Sequence, residues 1–166
     1  MLEQLTMPEA APFIYYLRVR YGDCDQQGVV FNARYGEYVD LALSEFMRVA
    51  MPAGSSAEQV KTVRQVIEWK QGAVHDDILG ITVRCTKIGT TSFTLAMAIH
   101  RIDPAAPQAL TQVLSETETV YVFTDPRTFE KTAIPAAVRS ALELGAPGAH
   151  IDHAGLAAAA AAIAKG

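Results

Sequence analysis

Two carboxylates one residue apart, Asp23 and Asp25, sit in the stretch Arg20-Tyr21-Gly22-Asp23-Cys24-Asp25-Gln26-Gln27-Gly28-Val29-Val30-Phe31-Asn32, which runs on to Tyr35. An ionised carboxylate can attack an electrophilic carbon or take a proton from water, and an ordinary aspartate is ionised at neutral pH without tuning. The stretch begins as the end of a strand, crosses a polar turn and enters an apolar-faced helix. Gly28 supplies backbone freedom just before the helix opens. A helix start offers unpaired N–H groups and a partial positive charge, so this turn can provide both an attacking group and donors for an oxyanion. The bland alternative for either aspartate is an Asx-turn or a helix cap. Cys24 makes a poorer nucleophile, because a reactive thiol needs a base or a positive neighbour and its neighbours are the two aspartates.

The elements that must position this turn are readable from periodicity. Tyr15, Leu17 and Val19 alternate with Tyr16, Arg18 and Arg20, which predicts a strand over Phe13 to Tyr21. Phe31, Tyr35, Tyr38, Ala42, Phe46 and Val49 recur at three- and four-residue steps, widened by Val39 and Leu43, which predicts a helix from Asn32 to Ala50. Pro52 and Ala53-Gly54-Ser55-Ser56 end it. Strand patterns follow over Val63–Gln71, Ile78–Thr86, Thr91–Ile102 and Leu110–Thr124, the middle two joined by a turn at Lys87-Ile88-Gly89-Thr90. One strand, a long helix and then consecutive antiparallel strands is an α+β pattern without βαβ alternation. Pro135 opens a short helix over Ala136–Leu144. These elements make one domain over residues 1–145, with an alanine-rich tail over 146–166 that is helical in propensity and frays unless it docks.

Composition excludes several classes. A net charge of −4 argues against a nucleic-acid surface, which needs clustered Lys and Arg. No signal peptide or membrane-length apolar run is expected, and the two cysteines lack metal-ligand spacing, so a soluble, cytoplasmic protein with free thiols is expected. His150-Ile151-Asp152-His153 has the residue types of a metal tract, but two histidines and one aspartate in a Gly-flanked segment assign no metal. His75, before Asp76-Asp77, reads as a solvated loop histidine.

The pattern R-Y-x-D-x-D-x-x-G-V-V-F over Arg20–Phe31, followed by the aromatic-rich helix, resembles the hotdog-fold acyl-CoA thioesterases of the 4-hydroxybenzoyl-CoA thioesterase-like group. Ala73–Leu79, Lys87–Phe93 and Val120–Phe123 continue it in order, so the resemblance covers roughly residues 13–143. It implies a curved antiparallel sheet wrapped around a central helix, and hydrolysis of an acyl thioester to free acid and thiol. By the same resemblance Asp25, the second acid of the pair, is the nucleophile or general base. Asp23 then shapes the turn, and the backbone N–H of Asn32 is the oxyanion donor.

Substrate contacts are implied for Gly28, Val30, Phe31 and Tyr35, and for Lys87, Thr90, Thr91 and Ser92. Tyr35, Tyr38 and Trp69 could line an acyl pocket, but aromatic residues on a core-facing helix or strand are more often packing. The sequence departs from the group in carrying Asn32 where Tyr or His is common, and Gly89-Thr90-Thr91 after Lys87 where a basic cluster is common. The second departure leaves an acyl-carrier-protein thioester open beside acyl-CoA. No cofactor is implied beyond the coenzyme A of the substrate. A homodimer or homotetramer with its site at the subunit interface is implied. Two rivals are a non-catalytic acyl-thioester binder and a hotdog hydratase or dehydratase. The latter wants a catalytic histidine, and none lies in the turn or on the helix.

Overall fold

The computed structural model describes residues 10–55 and 59–165. Strand β1 (Phe13–Arg18) leads through a 3₁₀ turn (Tyr21–Asp23) to helix α1 (Arg34–Ala50). Strands β2 (Val60–Trp69), β3 (Ile78–Ile88), β4 (Ser92–Arg101) and β5 (Gln112–Phe123) follow, then helix α2 (Ala136–Leu144), strand β6 (His150–Asp152) and helix α3 (Leu156–Ile163). They form one six-stranded sheet in the order β2-β5-β4-β3-β1-β6. Every pair is antiparallel except β1 with β6.

Tyr35, Tyr38, Val39, Ala42, Leu43, Phe46 and Met47 form the buried stripe of α1. They pack on the inward-facing residues of the sheet, among them Phe13, Tyr15, Leu17, Leu79, Ile81, Val83, Leu95 and Tyr121. This is the α+β hotdog that the motif implies. Among the described residues no helix is long and apolar enough to cross a membrane.

Local differences from the periodicity have physical reasons. Helix α1 starts at Arg34, two residues later than expected, because residues 31–33 are spent on the turn that ties Phe31 N–H to the Asp23 carbonyl. Phe31 and Val49, assigned to the apolar stripe, are 53% and 41% exposed, since they lie at the two ends of the helix, beyond the sheet's cover. Strand β2 lies earlier than the pattern suggests: Val60 already pairs with Phe123, while Lys70 and Gln71 turn away with both N–H groups on the Leu114 carbonyl.

The chain beyond residue 145 joins the sheet. Gly148 N–H bonds the Ala11 carbonyl, Ile14 N–H bonds Ala149 and His153 N–H bonds Tyr16, so residues 148–153 run alongside β1. Asp152 caps α3, accepting from the N–H groups of Ala154, Gly155 and Leu156 at 2.9–3.0 Å. His153 packs edge-on against Tyr15 and meets its hydroxyl at 3.1 Å. The outward side chains Ile14 and Tyr16 form a second, smaller core with Ile78, Ile102 and Ala154, covered by Leu110, Leu156 and Ala159.

Candidate active site

After β1 the chain is held by Val19 N–H on the Asp77 carbonyl (2.9 Å) and enters the 3₁₀ turn. The turn is organised on Asp23, which is 2% exposed. Its carboxylate accepts from the Arg20 N–H (3.0 Å), from the Arg20 guanidinium (2.9 and 3.3 Å) and from the Tyr38 hydroxyl (2.9 Å). Burial pushes the Asp23 pKa up, but the hydrogen bonds from Arg20 and Tyr38 outweigh it and hold the carboxyl below the usual aspartate value. Burial and the bond to Asp23 together raise Tyr38 well above an ordinary phenol. Asp23 is therefore a structural anion tying the turn to α1.

Beyond it the chain makes a tight hairpin. Cys24 pairs with Val30, Asp25 N–H bonds the Val29 carbonyl at 2.9 Å, and Gly28 N–H bonds the Asp25 carbonyl at 3.0 Å. Gly28 has φ +80°, the left-handed conformation that closes such a loop and that side chains resist. Asp25 Oδ1 accepts the Gln27 N–H at 2.8 Å, an Asx-turn bond that fixes the carboxylate's direction. That is the side chain's one hydrogen bond among the described residues, so Oδ2 is unengaged. An open cleft of about 610 Å³ adjoins it, lined by Tyr21, Gly22, Cys24, Asp25, Gln26, Gly28 and His75. The Cys24 thiol sits 4.0 Å from the Arg20 carbonyl, an acceptor to which a thiol donates but which a thiolate would repel.

Of the residues implied for substrate contact, Gly28 shares this cleft. Val30, Asn32 and Tyr35 line a second one, of about 200 Å³, with Val29 and Trp69–Gly72. Asn32 is exposed, and its N–H bonds no acceptor among the described residues; Ala33, with no side-chain bond, is the helix cap. Val30 and Tyr35 are 2% and 1% exposed, so most of each side chain is core. The Tyr35 hydroxyl accepts the Ala73 N–H at 3.1 Å, and its ring stands edge-on to Trp69.

Lys87, Thr90, Thr91 and Ser92 lie elsewhere. Strand β3 starts beside the Asp25 end of β1 and ends at their turn, so within one chain its 11 residues separate them from Asp25 by on the order of 30 Å. The backbone of this turn is already occupied. The Thr90 carbonyl accepts Ile134 N–H and that of Thr91 accepts Phe123 N–H, while Ser92 accepts Gly89 N–H. Arg139 reaches the Gly89 carbonyl at 2.6 Å and puts a second cation near Lys87.

Sequence reasoning missed Tyr21, Gln26 and His75 as walls of the Asp25 cleft, and Arg139 at the far turn. Tyr21 and Gln26 were legible, being inside the motif. His75 arrives through the bridge between Val29 and Val74, a pairing across 45 residues that no local pattern announces.

A family model described as the thioesterase-like superfamily matches residues 19–142. A putative esterase of Aquifex aeolicus is 27% identical over 105 residues, covering 61% of this chain and 82% of that protein. The acyl-CoA thioester hydrolase YbgC of Escherichia coli is 28% identical over 130 residues, covering 76% of this chain and 92% of that protein. The crystal structure of a 1,4-dihydroxy-2-naphthoyl-CoA thioesterase from Synechocystis superposes with a TM-score of 0.67 at 18% identity, over 80% of this chain and 96% of that one. At that identity the likeness is one of fold.

Proposed function

Because the chain belongs to the thioesterase-like superfamily, we propose that it hydrolyses an acyl-CoA thioester to free acid and coenzyme A at Asp25. The observation that carries this reading is the unequal engagement of the two carboxylates. Asp23 spends its oxygens on Arg20 and Tyr38, whereas Asp25 keeps one oxygen unengaged over a cleft. As nucleophile, that oxygen bonds to the thioester carbon, the C–S bond breaks with its electron pair leaving on the thiolate, and water then cleaves the mixed anhydride. As general base, it takes a proton from the water that attacks. Either route develops negative charge on the carbonyl oxygen, for which the unpaired Asn32 N–H at the entry to α1 is the assigned donor. No metal or added cofactor is asked for.

The edge of β2 supports a homo-oligomeric reading. It is ten residues long, no strand lies beyond it among the described residues, and Val63 and Trp69 are 55% and 49% exposed. Two copies pairing antiparallel there would turn the partner's β3–β4 end toward this chain's Asp25 end. That would bring Lys87 and Arg139 of one copy toward the phosphates of a substrate held by the other, in a dimer or a dimer of dimers. The free thiols Cys24 and Cys85 suit a reducing, cytoplasmic compartment.

The test is thiol release from short, medium, long and aromatic acyl-CoAs, and from acyl-carrier-protein thioesters, with wild type beside Asp25→Asn. Asp25→Asn keeps the shape and is expected to lose at least ~100-fold in kcat. Undiminished turnover in that variant sinks the assignment. His75 in the Asp25 cleft favours one second reading, hydration of an enoyl thioester by an acid and a histidine. Product analysis separates the two, since a hydratase returns an intact thioester that has gained water.

A further inference from the structure

We propose that Tyr21 and His75 form an aromatic corner that grips a flat ring of the thioester substrate as it enters the Asp25 cleft. The inference rests on the reading of that cleft as the thioester site. Both rings line it, 5.9 Å apart between centroids and at 87° to one another. Two perpendicular rings make an L: a planar group stacked on one face meets the edge of the other, and aromatic quadrupoles favour both contacts. A branched or tetrahedral group cannot lie flat against either wall.

The corner is presented at some cost. Tyr21 is 84% exposed, a large apolar side chain left in solvent beside a fully organised turn. Its backbone is immobilised by Asp23 next door, so the ring projects from a fixed base. His75 stands on an equally braced turn. Val74 N–H donates to the Asp77 carboxylate at 2.9 Å, Asp77 N–H bonds the Val74 carbonyl at 3.2 Å, and Arg101 holds Asp77 at 2.9 Å. Asp76, between them, has φ +71°, a left-handed conformation unfavourable for a residue with a side chain, and Arg18 grips it at 3.2 Å. The His75 side chain makes no hydrogen bond among the described residues, so neither its turn nor its ring is explained by bonding of the imidazole. A chance surface pair does not need two pinned loops joined by the bridge of Val29 to Val74.

The gripped ring can be an aryl group on the acyl side or the adenine of coenzyme A. Non-hydrolysable thioethers separate these sources and make binding independent of turnover. S-benzyl-CoA carries both rings, S-hexyl-CoA carries adenine alone, and S-benzyl-pantetheine carries the aryl group alone. Calorimetric Kd values are taken for wild type, Tyr21→Ala, Tyr21→Phe and His75→Ala. Stacking contacts predict that both alanine variants weaken the two probes that carry the gripped ring by roughly 5- to 150-fold and leave the third unchanged, while Tyr21→Phe binds as wild type.

Losses on the two benzyl compounds but not on S-hexyl-CoA assign the corner to an aryl acyl group. Losses on the two CoA compounds but not on S-benzyl-pantetheine assign it to adenine. Equal affinities throughout, an equal loss on all three probes, a Tyr21→Phe defect as large as that of Tyr21→Ala, or no binding by wild type overturns the proposal. Ring-selective losses in a protein whose turnover survives Asp25→Asn would keep the corner and discard the catalytic assignment.

Discussion

At the scale of the residue, Asp23 and Asp25 differ in what surrounds them more than in what they are. Asp23 is stabilised as an anion by Arg20 and Tyr38, so its folded-state pKa lies below the ~3.9 of an unfolded aspartate. A depressed carboxyl stabilises the fold fully above the unfolded value, and that contribution drains away as pH falls through the folded one. Urea unfolding of wild type and Asp23→Asn should therefore show its widest stability gap near neutral pH, narrowing below pH ~4. Tyr38→Phe removes a buried hydrogen bond to a charged group and should cost about 2 kcal/mol, read as a lower calorimetric Tm. The turn through Asp25 to Gly28 was legible because the bonds that close it, from Gly28 N–H to the Asp25 carbonyl and from Gln27 N–H to the Asp25 carboxylate, are local. The distinct fates of the two acids were not, because Tyr38 comes from a helix turn 15 residues away.

At the scale of elements, alternation and the 3.6-residue stripe located α1, β3, β4 and β5 to within a few residues, since each has one face dictated by the core, and Pro135 marked the start of α2. The pattern gave no sign of β6. Three residues, His150-Ile151-Asp152, are too short for a period, and their pairing with β1 is set by Tyr15, Tyr16 and Ile14 at the other end of the chain. The alternation in β1 likewise does not announce that both its faces are covered, Ile14 and Tyr16 on the outer face being 4% and 1% exposed. A chain ending at Ala149 should lose about 3 kcal/mol, the worth of one large apolar side chain uncovered, because the loop over residues 103–110 keeps part of the cover. A shift of the urea midpoint measures it; an unchanged midpoint would mean that α3 rests on the sheet without stabilising it.

At the scale of the whole molecule, the Asp25 turn and the Lys87 turn stand at opposite ends of one sheet, a separation invisible in sequence because both belong to the same run of motifs. If a second copy reverses the sheet across the β2 edge, a lysine on that edge should disfavour pairing. Val63→Lys is expected to move the protein toward monomer in size-exclusion chromatography with light scattering, as concentration falls, and to lower turnover with it. A monomeric wild type of full activity would rule the arrangement out. The segment over 148–154 then acquires a significance beyond packing. It lies along β1 from Ala11 to Arg18, where the Arg18 guanidinium closes the run on the Ala154 carbonyl. A sheet with two long bare margins can add neighbours without limit and grow into a fibre, and a three-residue edge strand in place of an open β1 shortens one of those margins. If copies of this chain do pair strand to strand, the ten-residue margin of β2 offers far more backbone for it than the three-residue margin of β6.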